Sequence, residues 1–316
     1  MLNTIEERHA IIEDHQKIAR EISPAEIEFR NILMPTDFSN CSDRALRYAI
    51  AIARRYGATL HLFHWVDPRA YQLAGAEVVH TARDASWRDI QQLESDLVAK
   101  CLLRNIQIKL LVADGDLSEI LPRIITQQKI DLIVIGTHGR TGWKKLILGS
   151  VAERIFRQAT SPVLTIGPNV TQSRVADDRP RDILFPTDFS PQSQGAERYA
   201  FSLAKKYSAR LTLLHVLEHS SKNIHDERDR LLQARARLRK LATFHEAAIE
   251  STDCLVISGR PADSILGTAV QKGADLIVLG MRASQGVSDR LMWSNAYRIV
   301  CDSHCPVLSV RTLEAA

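Results

Sequence analysis

A length of 316 residues, of which 45% are hydrophobic and 25% charged, is typical of a globular chain of about two domains. The formal net charge of +4 is small and gives little support to nucleic-acid binding, and no apolar run approaches the roughly 18 residues that a membrane span needs. A charged N-terminus without a signal-peptide core and five scattered cysteines favour a cytoplasmic protein with reduced thiols.

Strands and helices alternate through the first half of the chain. Apolar runs rich in Ile, Leu and Val are typical of buried strands, and apolar residues at helical spacing predict the helices between them. Ser39 or Ser42 is the expected N-cap of the first of these helices, and Gly57 is its expected end. The predicted strands cover residues 32–34, 59–66, 107–112, 131–135 and 163–166, and the predicted helices cover residues 38–56, 82–105, 117–128 and 145–158.

The second half of the chain repeats the first. The segment NILMPTDFS at residues 31–39 returns as DILFPTDFS at residues 182–190, and SPVLTI at residues 161–166 returns as CPVLSV at residues 305–310. The repeat spans about half of the chain, which is too long for one unit of a solenoid, so it indicates two tandem domains.

Two domains with the same fold are the resulting prediction. We expect them at residues 29–168 and 181–312, after a helical N-terminal extension over residues 1–28 and with a polar linker over residues 169–180. Uninterrupted apolar strands separated by helices predict that each domain is a doubly wound α/β unit. Its parallel sheet is expected to be covered by helices on both faces, as in Rossmann-like folds.

Two loops of the first domain are expected to meet at the carboxyl edge of its sheet, where open parallel sheets bind ligands. Residues 35–37 follow the first strand, Gly136 and Gly139 follow the fourth, and Gly149 and Ser150 begin the next helix. Backbone N–H groups of a glycine-rich loop that leads into a helix form a concave anion site. Gly136 is expected to turn the chain away from the strand, and Gly139 to let the backbone come close to a ligand. The residues alone leave phosphate binding and a merely tight turn equally open.

These motifs together resemble the universal stress protein family. The resemblance rests on PTDFS at residues 35–39, on the pattern Gly-x2-Gly-x9-Gly-Ser that starts at Gly136, and on SPVL at residues 161–164. It covers both predicted domains. It implies a cytoplasmic α/β domain of the adenine nucleotide alpha-hydrolase-like fold that dimerises through its last strand. Many members bind ATP or a related adenine nucleotide, whereas others lack the glycine pattern and do not.

Residue by residue, the resemblance implies a nucleotide site in the first domain. Asp37 and Val66 would lie against the adenine and the ribose, and the loop after the fourth strand would line the phosphates. The implied cofactor is ATP, with or without Mg²⁺. The implied binding residues are Pro35, Thr36, Asp37, Val66, Gly136, His138, Gly139, Arg140, Gly149, Ser150 and Val151.

The second domain departs from this pattern. Asp188 and Val216 are expected to retain the adenine side of the site, whereas Ala283 and Trp293 replace two of the glycines. A residue other than glycine in a left-handed conformation costs roughly 1–2 kcal/mol, and an indole would occupy the space near the phosphates. We therefore expect the second domain not to bind ATP and to serve as a structural or regulatory partner of the first.

Several of these residues also have a structural interpretation. Asp37 and Asp188 would serve equally as caps of the following helix, because both domains carry them. His64 and His215 end a strand in both domains, which favours packing over catalysis. The segment CDSHC at residues 301–305 does not have the spacing of a paired zinc site, and no metal ligand or catalytic residue is assigned.

Three functions remain open. The first is a stress or signalling module that binds an adenine nucleotide. The second is a slow ATP hydrolase, in which Asp37 would hold a metal ion and His138 would act as a base, although no second carboxylate is evident. The third is a nucleotide-free dimerising scaffold. The last strands, at residues 162–166 and 306–310, are expected to pair within one chain, or chains are expected to assemble into homo-oligomers.

Overall fold

The computed structural model describes residues 26–67, 76–137, 148–170, 179–218, 224–245, 252–282 and 294–312. The elements of the first half are β1 (Asn31–Pro35), α1 (Asn40–Tyr56), β2 (Thr59–Val66), α2 (Ala76–Ala99), β3 (Ile108–Asp114), α3 (Leu117–Gln127), β4 (Leu132–Gly136), α4 (Ser150–Gln158) and β5 (Val163–Ile166). The elements of the second half are β6 (Asp182–Pro186), α5 (Pro191–Tyr207), β7 (Arg210–Leu217), α6 (Ile224–His245), β8 (Thr252–Ser258), α7 (Pro261–Lys272), β9 (Leu276–Arg282), α8 (Ser294–Asp302) and β10 (Val307–Thr312).

Within these ranges, ten strands form one sheet in the order β3-β2-β1-β4-β5-β10-β9-β6-β7-β8. Neighbouring strands within each half are parallel, as the sequence predicted. The exception is the junction of the halves, where β5 and β10 are antiparallel and Leu164 stands opposite Leu308. This is the expected pairing of the last strands within one chain. The α/β class with a mostly parallel sheet is confirmed, and the strand order reverses between β1 and β4, where a doubly wound sheet opens a crevice.

Helices cover both faces of the sheet, which explains why its strands are apolar throughout. In β1, Ile32 and Met34 point to one face and Leu33 points to the other, and all three are fully buried. Removing one such side chain from water is worth about 1.5–3 kcal/mol. The core on the Ile32 face continues across the junction through Leu164 and Leu308, so the two halves share one hydrophobic core there.

Both predicted ends of the first helix are confirmed. The Ser39 hydroxyl accepts a hydrogen bond from the Ser42 N–H at 3.2 Å, and Gly57 ends α1 in the left-handed conformation with φ of 64°. Ser190 caps α5 in the same way by accepting from the Ser193 N–H at 3.3 Å. None of the helices in the described ranges is long and apolar enough to cross a membrane.

Two helices differ from their predicted bounds. Helix α2 starts and ends earlier than predicted. It does not continue to residue 105 because Cys101 and Asn105 have φ of 56° and 60°, values that a right-handed helix excludes. Helix α4 begins at Ser150 and not at residue 145 as predicted. Gly149 lies outside the helix because its N–H donates to the Thr137 carbonyl at 2.8 Å, which holds Gly149 against the end of β4.

Candidate functional site

A cavity of about 220 Å³ opens at the carboxyl edge of the first half, where β1 and β4 lie side by side. Its walls combine the turn after β1, the ends of β2 and β4, and the first turn of α4. The turn after β1 therefore meets Gly136 and the Gly149–Ser150 pair at this edge, as the sequence predicted. The lining residues are Pro35, Thr36, Asp37, Ser42, Phe63, His64, Trp65, Ile135, Gly136, Gly149, Ser150, Val151, Ala152 and Ile155.

Most of the predicted nucleotide-binding residues line this cavity, namely Pro35, Thr36, Asp37, Gly136, Gly149, Ser150 and Val151. Val66 is placed differently, because it is 4% exposed and does not line the cavity. The preceding residue, Trp65, points to the opposite face of β2 and does line it. His138, Gly139 and Arg140 lie outside the described residues.

The turn after β1 holds the Asp37 carboxylate at the cavity wall. Asp37 Oδ1 accepts from the Ser39 N–H at 3.1 Å, and Thr36 Oγ1 accepts from the Phe38 N–H at 3.0 Å. Phe38 has φ of 62°, a left-handed conformation that costs a residue other than glycine roughly 1–2 kcal/mol. The side-chain hydrogen bonds thus hold a turn that the backbone alone disfavours. The capping role considered for Asp37 is not observed, because the N-cap is Ser39 and Asp37 accepts from the N–H of Ser39, before the helix begins.

The second half repeats this turn, and its carboxylate also accepts from a hydroxyl of the following helix. Asp188 Oδ1 accepts from the Ser190 N–H at 2.9 Å and also from the Ser193 hydroxyl. The counterpart of that hydroxyl in the first half, on Ser42, donates to the Ser39 carbonyl at 2.8 Å. Burial by itself raises the pKa of Asp188, but the hydrogen bonds from Ser190 and Ser193 outweigh burial and leave the pKa below its ordinary value. The Asp188 carboxylate is therefore held by its own loop.

His64 lines the cavity and makes two contacts that its counterpart His215 also makes. The Nδ1 of each ring donates to the carbonyl of the threonine in the preceding turn, at 2.8 Å in both halves. Each ring also lies against the phenylalanine of that turn, with centroids 4.8 Å apart for His64 and 4.7 Å apart for His215. Because the contacts are the same in both halves, they support the packing role that the sequence favoured.

Gly136 is a glycine for a reason other than the one expected. A Cβ at Gly136 would lie 2.7 Å from the carbonyl oxygen of Cys41, and a Cβ at Gly280 would lie 2.4 Å from that of Gln192. Both carbonyls belong to the first turn of the helix that packs on the strand. We expected Gly136 to turn the chain away from the strand, but it remains in β4. Gly136 and its counterpart Gly280 both allow a helix to pack closely on the strand.

Helix α4 presents its first turn to the cavity through Ser150 and Val151. The N–H groups of a first helical turn have no acceptor within the helix and carry the positive end of its dipole, so they bind anions. Gly149 precedes this turn with φ of −56°, a value that any residue adopts. The left-handed cost expected for replacing this glycine therefore does not arise, and a larger residue would act through its bulk. Ala283 and Trp293 lie outside the described residues.

Trp65 was not among the predicted site residues, yet its ring forms a fixed part of the cavity wall. Its Nε1 donates to the Gly115 carbonyl at 3.0 Å, and the guanidinium of Arg154 lies 5.4 Å from the ring centroid. Arg154 is itself held by Asp116 at 2.8 Å. The indole is thus anchored at its edge and against one face.

The expected match between Val66 and Val216 needs a correction. His64 in β2 and His215 in β7 make the same hydrogen bond, so the residues that follow them, Trp65 and Val216, are counterparts. Val66 therefore matches Leu217, and the expected match of Val66 to Val216 was wrong by one residue. Counting from the shared histidines in the sequence would have found both the match and the tryptophan.

A carboxylate at the cavity wall suits a metal ion. Within the described ranges, no group of three or more His, Cys, Asp or Glu side chains is arranged to hold a metal ion. Mg²⁺ keeps several waters and is commonly bound by one or two carboxylates together with substrate phosphates. Asp37 is a carboxylate at the cavity wall that fits this use.

A second cavity, of about 90 Å³, lies at the junction of the halves between α1 and α5. Its walls are mainly apolar and include Tyr48 and Ile52 from α1, Tyr207 from α5 and Leu308 from β10. This cavity is smaller and less polar than the one at the carboxyl edge. The edge cavity is therefore the better candidate for a charged ligand.

Comparison with known proteins agrees with the fold and with the repeat. The sequence profile of the Universal stress protein family matches residues 28–167 and 180–311, so the chain belongs to this family and carries its domain twice. A universal stress protein of Methanocaldococcus jannaschii is 30% identical over 146 residues, which cover 44% of this chain and 82% of that protein. A universal stress protein of Mycolicibacterium smegmatis is 25% identical over 295 residues, which cover 89% of this chain and 96% of that protein.

Solved structures give the same answer for the fold. The crystal structure of a universal stress protein from Archaeoglobus fulgidus superposes with a TM-score of 0.68 at 20% sequence identity. The match covers 90% of this chain and 99% of that one, so it includes both halves. At this level of identity the likeness supports the architecture alone.

Proposed function

We propose that the chain is a stress-response or signalling protein that binds one molecule of ATP, or of a related adenine nucleotide, in the cavity of its first half. The second half is proposed as a structural or regulatory partner that does not bind nucleotide. One observation carries the proposal: the first turn of α4, the Asp37 carboxylate and the Trp65 ring converge on one cavity at the carboxyl edge of β1 and β4.

Each part of this cavity suits one part of a nucleotide. The first-turn N–H groups of α4 and the Ser150 hydroxyl suit the phosphates. Asp37 suits the ribose hydroxyls or an Mg²⁺ ion carried by the phosphates, and the Trp65 ring offers a flat apolar surface to the base. Val66 and the loop residues His138, Gly139 and Arg140 remain part of the proposal because the family resemblance implies them.

The second half lacks the same combination of groups. Its carboxylate, on Asp188, accepts from the Ser193 hydroxyl, and Val216 stands where the first half has Trp65. Its sequence also has Ala283 and Trp293 in place of two glycines of the binding pattern. These differences support one nucleotide per chain.

The cavity offers less support for hydrolysis than for binding. Phosphoryl transfer needs a held Mg²⁺ and a group that orients the nucleophile. Among the described lining residues, Asp37 is the one carboxylate, and the Nδ1 of His64 is already directed at the Thr36 carbonyl.

A cytoplasmic setting belongs to the same proposal, and it is supported by five cysteines that are all free thiols.

Calorimetric titration of the full-length chain with ATP tests the proposal. We expect a stoichiometry near one per chain. Asp37→Asn is expected to weaken ATP binding by about tenfold, which corresponds to one or two lost hydrogen bonds, and the matched change Asp188→Asn is expected to leave it unchanged. Two sites per chain, or equal effects of the two changes, would contradict the asymmetry.

Nucleotide analysis separates the alternatives. The supernatant of heat-denatured, freshly purified protein is expected to contain ATP. Steady accumulation of ADP over many turnovers would favour a hydrolase. A chain that carries no nucleotide and cannot be loaded with it would favour a dimerising scaffold.

A further inference from the structure

Helix α4, whose first turn lines the cavity of the first half, is held at both ends by side chains of the second half. Before its start, the backbone N–H of Leu148 donates to the Tyr297 hydroxyl at 3.0 Å. At its end, the Arg311 guanidinium donates to the carbonyl of Ala159 at 2.6 Å and also to that of Phe156. The position of this nine-residue helix therefore depends on the other half of the chain.

The arginine acts where a helix needs a donor. The last carbonyls of a helix have no partner within it, and a cation near them also interacts favourably with the helix dipole. Burial lowers the pKa of Arg311 to about 10, which leaves the guanidinium charged at neutral pH. The same group lies 5.7 Å from the centroid of the Phe156 ring, so it contacts the last turn of α4 in two ways.

The tyrosine acts directly before the cavity. Leu148 is 1% exposed, and a buried backbone N–H without an acceptor is unfavourable. Burial raises the pKa of Tyr297, so its hydroxyl stays neutral and accepts this hydrogen bond. The bond fixes the chain immediately before Gly149 and Ser150, which line the cavity.

The first half does not carry the same two side chains. Gly167 occupies the position of Arg311, and a Cβ there would lie 3.7 Å from the Val300 carbonyl oxygen and 3.6 Å from that of Ser303, at the end of α8. The backbone geometry is thus similar on the two sides of the junction, but glycine offers no guanidinium. On α4, Glu153 takes the place that the tyrosine has on α8.

We infer that Tyr297 and Arg311 are positioning residues for the phosphate end of the nucleotide site, through which the second half regulates the ATP affinity of the first. This inference rests on the proposed function, because it concerns the same cavity. The two side chains hold the α4 backbone and reach Trp65 only through Arg154, while the indole keeps its own hydrogen bond to the Gly115 carbonyl, so they affect phosphate binding more than adenosine binding. Coupling between sites is reciprocal, so bound ATP in turn stabilises the junction of the halves.

Titration of full-length variants with ATP and with adenosine tests the inference. Tyr297→Phe and Arg311→Met are each expected to raise the Kd for ATP about threefold to tenfold, the effect of one or two lost hydrogen bonds, and to raise the Kd for adenosine less. The matched control is Arg298→Met, on α8, where the guanidinium pairs with Asp263 and Asp302 within the second half. This control is expected to change neither constant. An unchanged ATP affinity in both test variants, or equal losses for ATP and adenosine, overturns the inference.

Hydrogen exchange separates the failure of the inference from the failure of the proposed function. Without nucleotide, the amides of residues 148–159 are expected to exchange about threefold to tenfold faster in Tyr297→Phe and Arg311→Met than in the wild type and in Arg298→Met. Binding of ATP together with unchanged exchange overturns the inference alone. Faster exchange in a chain whose wild type binds no ATP overturns the proposed function, and the regulation of affinity with it.

Discussion

The two halves share the backbone of their carboxyl edge and differ in the side chains that reach the space above it. Phe38 and Phe189 have φ of 62° and 61°, and both halves direct a histidine Nδ1 at a threonine carbonyl at 2.8 Å. By contrast, Trp65 has a valine as its counterpart, and Asp188 accepts from a hydroxyl whose counterpart points elsewhere. The shared turn and histidine therefore serve the fold, and the proposed difference in nucleotide binding lies in the residues that differ.

The largest effect is expected from the glycine that both halves retain. Gly136→Ala and Gly280→Ala should each destabilise the chain by about 3 kcal/mol, the upper end of the usual cost of overpacking, because the new Cβ would overlap a helix carbonyl at 2.7 Å or 2.4 Å. Gly267→Ala is the control, since a Cβ there meets nothing within 4 Å. Urea denaturation measures all three. A stable Gly136→Ala variant that has lost only ATP binding would show that this glycine serves the ligand after all.

The second effect concerns bulk at the start of α4. Gly149→Trp, which copies the second half, is expected to weaken ATP binding about a hundredfold, or roughly 2.7 kcal/mol, because an indole would fill the space beside the first helical turn. Gly149→Ala should bind nearly as well as the wild type, because φ of −56° suits any residue. Titration calorimetry with ATP measures both. Equal losses in the two variants would point to the backbone and not to bulk. Adding Gly139→Ala to Gly149→Trp completes the copy and should leave no measurable site.

Local patterns predicted much of the fold and part of the site. The apolar strands and the caps at Ser39 and Gly57 follow from neighbouring residues, so they were found correctly. The role of Gly136 was not predictable, because a glycine at a strand end looks the same whether a ligand or the Cys41 carbonyl approaches it. Only the packed structure distinguishes the two.

The side-chain contacts across the junction could not be predicted from the sequence either. Arg311 and Phe156 are 155 positions apart, and they meet because β5 and β10 pair antiparallel in one particular register. The sequence did predict that these strands pair, but a shift of that pairing would move the guanidinium away from the end of α4. The side chains that hold the helix therefore depend on how the two halves dock, which no motif within either half encodes.

The third effect concerns the base. Trp65→Val copies Val216 into the first half and is expected to weaken ATP binding about tenfold, since stacking of a base on an aromatic ring is worth about 1–3 kcal/mol. Trp65→Phe is the matched control, because it keeps a ring and loses only the hydrogen bond to the Gly115 carbonyl. Val216→Trp should not create a second site. Full ATP affinity in Trp65→Val, measured by calorimetry, would show that the base does not stack on Trp65.

The smallest effect is one of stability and pH in the second half. Because the folded-state pKa of Asp188 lies below its ordinary value of 3.8, the ionised carboxylate stabilises the fold above about pH 4, and this stabilisation is lost as the pH falls through the folded-state pKa. The residue is partly exposed, so solvent screening keeps the contribution below about 1 kcal/mol. Asp188→Asn should therefore lower the urea midpoint at pH 7 and differ less from the wild type at pH 3. A urea midpoint at pH 7 that is the same in Asp188→Asn and in the wild type would mean that the ionised carboxylate does not stabilise the second half.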